Sequence, residues 1–215
     1  MKILIINGSA RGKGFCNTIA NDLLMALNSL NDGSKSINTS IFTIAEKNIE
    51  FCIGCVGCCA NEKKYCFIED GIHEAYRLME EADSIVYISP IYESFISGIL
   101  KNYFDRTNHY TSFFKLAGKH INLILCGVQP IKGRTKEFSN RHVIKNINQY
   151  FKNYSIITHT AYEFLGFFHH ENHHSSRNES NVKEFKDQIQ NIARKLLKQK
   201  VNKKIIQNSK ESYRV

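Results

Sequence analysis

Five of the chain's seven cysteines fall within FCIGCVGCCANEKKYCFIED, residues 51–70. They are Cys52, Cys55, Cys58, Cys59 and Cys66. Thiols at this density are typical of disulfides, a zinc site, an iron–sulfur cluster or reactive free thiols. The spacing C-x2-C-x2-C-x7-C lets successive thiolates converge on one small inorganic core, and Gly54 and Gly57 ease the backbone around it.

This spacing predicts metal ligation by Cys52, Cys55, Cys58 and Cys66, with Cys59 able to replace Cys58. Structural zinc usually joins two CxxC pairs across a longer separation, so three cysteines at successive two-residue gaps favour ferredoxin-type ligation. Zinc bound by four thiolates and metal-free thiols both stay open as alternatives.

The start of the chain, MKILIINGSA, has only five apolar residues before Asn7, too few for a secretory signal. No stretch has the apolar length of a membrane span. We therefore expect a cytoplasmic protein with no membrane partner. Because cytosolic thiols stay reduced, structural disulfides are the least favoured use of the cysteines.

A second cluster of chemically able side chains, His169, His170, His173 and His174, lies in FFHHENHHSSRN. Histidines four apart on a helix can share a metal ion, but no acidic pattern completes a recognised site. A polar loop after a strand is the favoured interpretation of this segment.

Short β-rich runs alternate with helical patterns, and these elements must position the cysteines. We predict strands at 2–6, 37–44, 84–89, 120–127 and 155–165, and helices at 17–30, 71–81, 97–106 and 140–154. Apolar strands alternating with helices predict an α/β fold, a doubly wound five-stranded parallel sheet with helices on both faces. No linker or repeat divides the chain, so residues 1–215 are predicted to form a single domain.

Positive charge is concentrated at the C-terminus. Residues 181–215 hold ten Lys/Arg and three Asp/Glu, so they supply +7 of the net +9. Apolar residues there recur at three- and four-residue steps, which predicts a basic amphipathic helix over 181–204. No aromatic or glycine motif of an RNA-binding module accompanies the charge, so nucleic-acid binding is the less favoured interpretation.

In a sheet of this kind, ligands bind beyond the carboxyl ends of the strands. The loop after the first strand, NGSARGKGFCNTIA, combines glycines, hydroxyls and a cation at a helix start, which suits an anion. Ser9, Asn17 and Thr18 can donate hydrogen bonds there, and Arg11 can neutralise charge. After the third strand, Pro90 predicts an extended turn that exposes the amides of Ile91, Tyr92 and Glu93.

Two motifs, GSAR…NT and SPIYESFISGILKNYFDR, together resemble the flavodoxin-like NAD(P)H-dependent FMN reductases over roughly residues 1–130. This resemblance implies that Ser9, Arg11, Asn17 and Thr18 hold the FMN phosphate. It also implies that Pro90, Ile91, Tyr92 and Glu93 line the isoalloxazine ring, and that the loop beginning at Cys126 and Gly127 closes the site. The compact cysteine arrangement is similar to that of the iron–sulfur flavoproteins of this family, which carry a [4Fe–4S] cluster beside FMN.

The resemblance implies an FMN-dependent oxidoreductase in which the flavin, and no side chain, carries the chemistry. Electrons would come from NAD(P)H or a ferredoxin-like donor, and would leave to a small acceptor such as a quinone or free flavin. The cluster would relay single electrons, and the chain would assemble as a homodimer or homotetramer. The alternative function is a flavodoxin-like electron carrier or redox-sensing module without turnover of its own.

Overall fold

The central strands are built almost entirely from buried β-branched and apolar residues. The computed structural model describes residues 1–11, 13–31, 36–60, 65–131, 140–169, 179–202 and 205. Its strands are β1 (Lys2–Asn7), β2 (Asn38–Thr43), β3 (Ser84–Tyr92), β4 (Phe95–Ile96), β5 (His120–Gly127) and β6 (Ala161–His169). Five of them pair in parallel in the order β2-β1-β3-β5-β6, and the short β4 pairs antiparallel with the end of β3. The prediction of a five-stranded parallel sheet is confirmed.

Helices cover both faces of this sheet, as predicted. They are α1 (Phe15–Ser29), α2 (Ile72–Glu81), α3 (Gly98–Arg106), α4 (His109–Phe113), α5 (Arg141–Ile157) and α6 (Glu179–Leu196). The core residues of α2 to α5 pack on one face in a single apolar cluster, and those of α1 and α6 pack on the other. Alternation along β1 divides its side chains, since Leu4 and Ile6 face the first cluster and Ile3 and Ile5 face the second.

The strand order determines where a crevice forms. From β1 the chain moves outward to β2, then crosses back to β3 on the other side of β1, so strand order reverses between β1 and β3. The loops that leave the carboxyl ends of these two strands diverge, and they open a crevice between them.

The predicted fifth strand at 155–165 is wrong in its first half. Residues Ser155 to Ile157 end α5, where the Thr158 N–H bonds to the Tyr154 carbonyl, and β6 begins only at Ala161. The β-branched pair Ile156 and Ile157 favoured a strand locally, but both side chains are exposed on the last turn of a helix.

Two other boundaries differ from prediction. Strand β3 continues through Pro90 to Tyr92, so Pro90 lies within a strand beside Cys126 of β5 and not in a turn. At the C-terminus, α6 ends at Leu196, and residues 199–202 follow without helical structure, so the predicted helix over 181–204 is too long. Within the described residues, no helix has the length and apolar character that crossing a membrane requires.

Candidate active site

A cleft opens at the carboxyl ends of β1, β3 and β5, and it encloses about 460 Å³ of space open to solvent. Of the predicted cofactor-binding residues, it is lined by Ser9, Arg11, Pro90, Ile91, Tyr92, Cys126 and Gly127. Among the described residues, Phe15, Cys16 and Val128 also line it, and the sequence motifs did not single them out. The tertiary structure therefore brings three separate loops, all chosen from sequence, to one site.

The first loop is organised around short polar contacts. The Ser9 N–H donates to Asn7 Oδ1 at 3.1 Å, and the Arg11 N–H donates to Ser9 Oγ at 3.2 Å. Gly8 packs so closely on α3 that an added Cβ would lie 3.0 Å from Leu100, and its carbonyl accepts a bond from Ser97 Oγ. A larger residue at this position would force Leu100 or the Ile88 carbonyl to shift, and the contact ties the loop to the helix that follows β3.

Helix α1 begins beside this loop. Among the described side chains none caps its first turn, where no acidic residue lies, so the helix end keeps its affinity for an anion. Thr18 lies in this turn, where its N–H bonds to the Gly14 carbonyl at 3.1 Å. Asn17 Oδ1 faces Asn7 Nδ2 at 3.5 Å. Asn17 and Thr18 thus border the cleft without lining it.

The second wall is the hairpin between β3 and β4. Tyr92 pairs with Phe95 across a two-residue turn, in which Glu93 and Ser94 have φ values of 44° and 64°. In a two-residue hairpin the residues that flank the turn, here Tyr92 and Phe95, form backbone hydrogen bonds with each other. Because hydrogen-bonded and non-hydrogen-bonded pairs alternate along the strands, the N–H of the preceding residue, Ile91, points away from β4. Glu93 lies at the tip of the turn and does not line the cleft.

Arg11 connects the two walls. Its Nη2 lies 3.4 Å from the Tyr92 hydroxyl, across the mouth of the cleft. An exposed cation and an exposed aromatic ring thus face the same opening, which suits a ligand that has an anionic end and a flat ring.

The floor of the cleft contains a pair of buried thiols. Burial raises the pKa of the Cys126 thiol well above its usual range, and a hydrogen bond with the neighbouring Cys16 thiol raises it further. A neutral, buried thiol packs as a small apolar side chain, so Cys126 contributes packing to the site.

The cysteine loop, residues 52–66, follows β2 after a single turn of 3-10 helix, Ile44–Glu46, and its described residues from Cys52 to Val56 are exposed. Cys52 and Cys55 are exposed, Cys58 and Cys59 are half-buried, and Cys66 is buried. Gly54 and Val56 both have positive φ values, 66° and 52°. Among the described residues, no three His, Cys, Asp or Glu side chains are gathered as a metal-binding group.

Several of these thiols are nevertheless close neighbours. Cys58 Sγ lies 3.8 Å from Cys59 Sγ. Burial raises the pKa of the Cys58 thiol to about 12, and nearby thiols raise it too, first Cys59, then Cys66 and Cys55. Since each thiol opposes ionisation of the next, a cation would be needed to hold several thiolates together.

An orphaned donor provides a test of whether the loop suits a thiolate-bound centre. The buried Nε of Arg106 has no hydrogen-bond acceptor among the described residues, and the guanidinium that carries it lies beside the Cys66 side chain. Thiolate sulfur accepts hydrogen bonds, so a ligated Cys66 would satisfy this donor. The donor set and its surroundings therefore fit the predicted use of the cysteines.

Of the four histidines in the histidine-rich segment, the structure describes only His169. His169 ends β6, and its Nε2 lies 2.9 Å from the Val128 carbonyl at the rim of the cleft. His170, His173 and His174 lie outside the described residues.

Comparisons with known proteins found similar sequences. A family model described as NADPH-dependent FMN reductase matches residues 1–151. The chain is 29% identical to an iron–sulfur flavoprotein of Methanocaldococcus jannaschii over 157 residues, which cover 73% of this chain and 75% of that protein. It is 30% identical to an iron–sulfur flavoprotein of Archaeoglobus fulgidus over 120 residues, which cover 56% of this chain but only about half (51%) of the relative.

Solved structures show the same fold. The FMN-dependent NADH-azoreductase of Bacillus anthracis, in complex with FMN, superposes with a TM-score of 0.63 at 13% identity, covering 91% of this chain and 99% of that one. An NADH:FMN oxidoreductase in its apo form gives a TM-score of 0.56 at 15% identity, covering 89% of this chain and 88% of that one.

Proposed function

The chain belongs to the NADPH-dependent FMN reductase family, and from this premise we propose that it reduces a small acceptor, such as a quinone or free flavin, with electrons from NAD(P)H or a ferredoxin-like donor. The observation that supports this most is the cleft itself. It brings a cation, a helix start and the Tyr92 ring to one opening, between strands where the order of the sheet reverses.

FMN in this cleft would supply the hydride and electron chemistry. Ser9 and Arg11, with the first turn of α1, would hold its phosphate, and Thr18 and Asn17 would add donors from that turn. Pro90, Ile91 and Tyr92 would form the wall against the ring. The residues Cys126 and Gly127 at the end of β5 would bound the site on its third side.

We expect the protein to need no side chain as a general acid or base. Burial raises the pKa of the Cys126 thiol in the cleft, which favours its neutral, unreactive form. What the chain contributes is orientation of the ring and exclusion of water from the apolar wall.

The experiment is an anaerobic purification with an ultraviolet–visible spectrum and cofactor extraction, followed by steady-state NADPH oxidation with a quinone acceptor. We expect about one FMN per chain and turnover that depends on the acceptor. Absence of flavin, with no rebinding of added FMN, contradicts the proposal. Bound FMN without NADPH oxidation supports the alternative of an electron carrier.

For the cysteine loop we propose a [4Fe–4S] cluster that relays single electrons to or from the flavin. It would be held by Cys52, Cys55, Cys58 and Cys66. This proposal is supported by the spacing of these thiols, by the unsatisfied Nε of Arg106, whose guanidinium lies beside Cys66, and by the name borne by the relatives.

Iron and sulfide analysis of anaerobic protein tests the cluster, and about four of each per chain are expected. Cys66→Ser should lose most of the iron, whereas Cys59→Ser should retain it. If Cys58→Ser retains iron and Cys59→Ser loses it, Cys59 is the third ligand. If the protein contains one zinc ion per chain and no iron, the cysteines form a structural zinc site and the cluster proposal is wrong.

A further inference from the structure

Arg106 is the largest fully buried side chain of the described structure. It ends α3, and its guanidinium lies beneath the cysteine loop, with 0% of the side chain exposed. A buried guanidinium is costly unless each of its N–H groups finds an acceptor. The acceptors of Arg106 are therefore informative about its role.

Four of its five N–H groups are accounted for, and they hold both ends of the cysteine loop. Nη1 donates to the Glu50 carbonyl at 2.6 Å and to Asp70 Oδ2 at 2.8 Å. Nη2 donates to the Ile68 carbonyl at 3.1 Å and to Asp70 Oδ1 at 3.1 Å. Glu50 lies just before the loop, and Ile68 and Asp70 lie just after it.

Asp70 completes this closure. Burial alone would raise the pKa of its carboxyl group, but hydrogen bonds from Arg106 and from the amides of Ile72 and Glu50 outweigh burial and lower it. The carboxylate is 4% exposed, and it accepts from Glu50 N at 2.9 Å. The buried ion pair of Arg106 and Asp70 thus holds together Glu50 and Asp70, which are 20 residues apart in the chain.

Asn102, one turn earlier on α3, repeats the arrangement on one side. Its Nδ2 donates to the Glu50 carbonyl at 3.1 Å, and its Oδ1 accepts from the Cys52 N–H at 3.0 Å. The face of α3 that carries Asn102 and Arg106 is therefore built to anchor the loop that carries the cysteines.

The fifth N–H of Arg106, on Nε, is the one that the rest of this network does not explain. It is buried without an acceptor among the described residues, although more than nine in ten buried polar groups have one. The buried thiol of Cys66 lies beside the guanidinium that carries this N–H. A protonated thiol is a weak acceptor, whereas a thiolate bound to a metal is a good one.

We propose that Arg106 is the positioning residue of Cys66, closing the base of the cysteine loop through Asp70 and donating its Nε–H to the Cys66 thiolate when the loop holds a metal centre. This inference rests on the proposed metal centre and is independent of the flavin. Lysine cannot replace arginine in this role, because it has one nitrogen and no planar set of donors.

The test is an anaerobic titration of iron-free apoprotein with Co²⁺, which reports thiolate ligation by its charge-transfer absorption. Arg106→Lys keeps the positive charge near Asp70 but removes the Nε donor. We expect Co²⁺ to bind this variant about 10- to 100-fold more weakly than wild type, the usual effect of losing a hydrogen bond to a metal ligand. The position of the absorption band should shift as well.

Asp70→Asn is the second variant, because it loosens the base of the loop while leaving Nε in place. It should weaken Co²⁺ binding without moving the absorption band. The matched control is Arg77→Lys, since Arg77 pairs with Glu81 at the surface, with 62% of its side chain exposed. This control should match wild type.

Three outcomes contradict the inference. Arg106→Lys with wild-type affinity shows that Nε does not serve Cys66. Equal band shifts in Arg106→Lys and Asp70→Asn show that Arg106 only braces the loop. Failure of wild-type apoprotein to bind Co²⁺ through thiolates removes the metal centre and this role together. FMN content measured on the same samples shows separately whether the flavin proposal holds.

Discussion

Burial of the His109 side chain strongly affects its ionisation. His109 is fully buried among the rings of Tyr65, Tyr76 and Tyr110, and neither ring nitrogen has a partner among the described residues. Burial, followed by the charges of Lys115 and His73, lowers its pKa to about 3. The imidazole is therefore neutral in the folded protein.

This produces a pH dependence of stability. The unfolded chain takes up a proton on His109 below its ordinary pKa of 6.5, whereas the folded chain does not do so until about pH 3. Stability is therefore complete above pH 6.5 and falls as pH is lowered through this window, by about 2 kcal/mol between pH 7.5 and pH 5.

Replacing the histidine removes this dependence. His109→Phe keeps an aromatic ring without ionisable nitrogens, so its unfolding free energy should fall less than that of wild type between pH 7.5 and pH 5. Urea unfolding at the two pH values measures this fall for each protein. A change in packing caused by the phenylalanine shifts both values equally and so does not affect the fall. His142→Phe, at an exposed position of α5, is the control. Equal slopes for His109→Phe and wild type would contradict the prediction.

Arg11 is the residue in the cleft whose charge should matter most to the proposed cofactor. Arg11→Gln removes the cation at the cleft mouth, and a lost charge-assisted hydrogen bond corresponds to about tenfold to hundredfold weaker FMN binding. Fluorescence titration of apoprotein with FMN measures this loss. Riboflavin, which lacks the phosphate, should bind both proteins with similar affinity.

Lys13→Gln is the matched control for Arg11→Gln, since Lys13 is exposed in the same loop but does not line the cleft. If both variants weaken FMN binding equally, the effect is one of overall charge and not of contact with the phosphate.

At the level of elements, the hairpin between β3 and β4 lines the cleft and also carries backbone strain. Glu93 and Ser94 both have positive φ, a conformation that glycine and asparagine adopt more easily than other residues. We expect Glu93→Asn combined with Ser94→Gly to raise the free energy of unfolding by about 1 kcal/mol. Thermal unfolding measures it, and a lowered melting temperature would show that these side chains contribute more than their strain costs.

Helix α6 is an element whose basic composition conceals its main role. Ile189, Ile192 and Leu196 are buried in the core cluster shared with α1, while Arg194 and Lys195 remain on the exposed side. These two positive charges lie on the solvent face of a core helix, so they have a structural explanation of their own.

At the scale of the whole molecule, the segment after α6 closes the end of the sheet opposite to the cleft. Gln199 Oε1 accepts from Ser84 Oγ at 2.9 Å, and Gln199 Nε2 donates to Asn122 Oδ1 at 2.7 Å. The Asn202 N–H donates to the Gly118 carbonyl at 3.0 Å. The C-terminal region therefore contributes to the stability of the entire sheet.

We expect Leu196→Ala to lower the free energy of unfolding by about 2–5 kcal/mol, because it opens a cavity in a core cluster. The melting temperature should fall by about 4–15 °C. Leu197→Ala is the control, since Leu197 is only partly buried and should cost less than half as much. A small effect at both positions would mean that α6 is dispensable to the core.

The sequence by itself determined the α/β class, the parallel sheet and the family, because these depend on local periodicity and on short motifs at the ends of β1 and β3. The same local patterns failed at Ser155 to Ile157, where packing of α5 overrode β-propensity, and at Pro90, which lies inside a strand.

Only the tertiary structure decided which distant residues meet. Arg106 reaches Asp70 and Glu50 across 36 and 56 positions of the chain, and Arg11 reaches Tyr92 across 81. Such contacts arise when helices pack on the sheet, and no periodicity in the sequence encodes them. In the sequence, Arg106 belonged to an ordinary helical pattern, and its buried donors became evident only when the cysteine loop was folded over it.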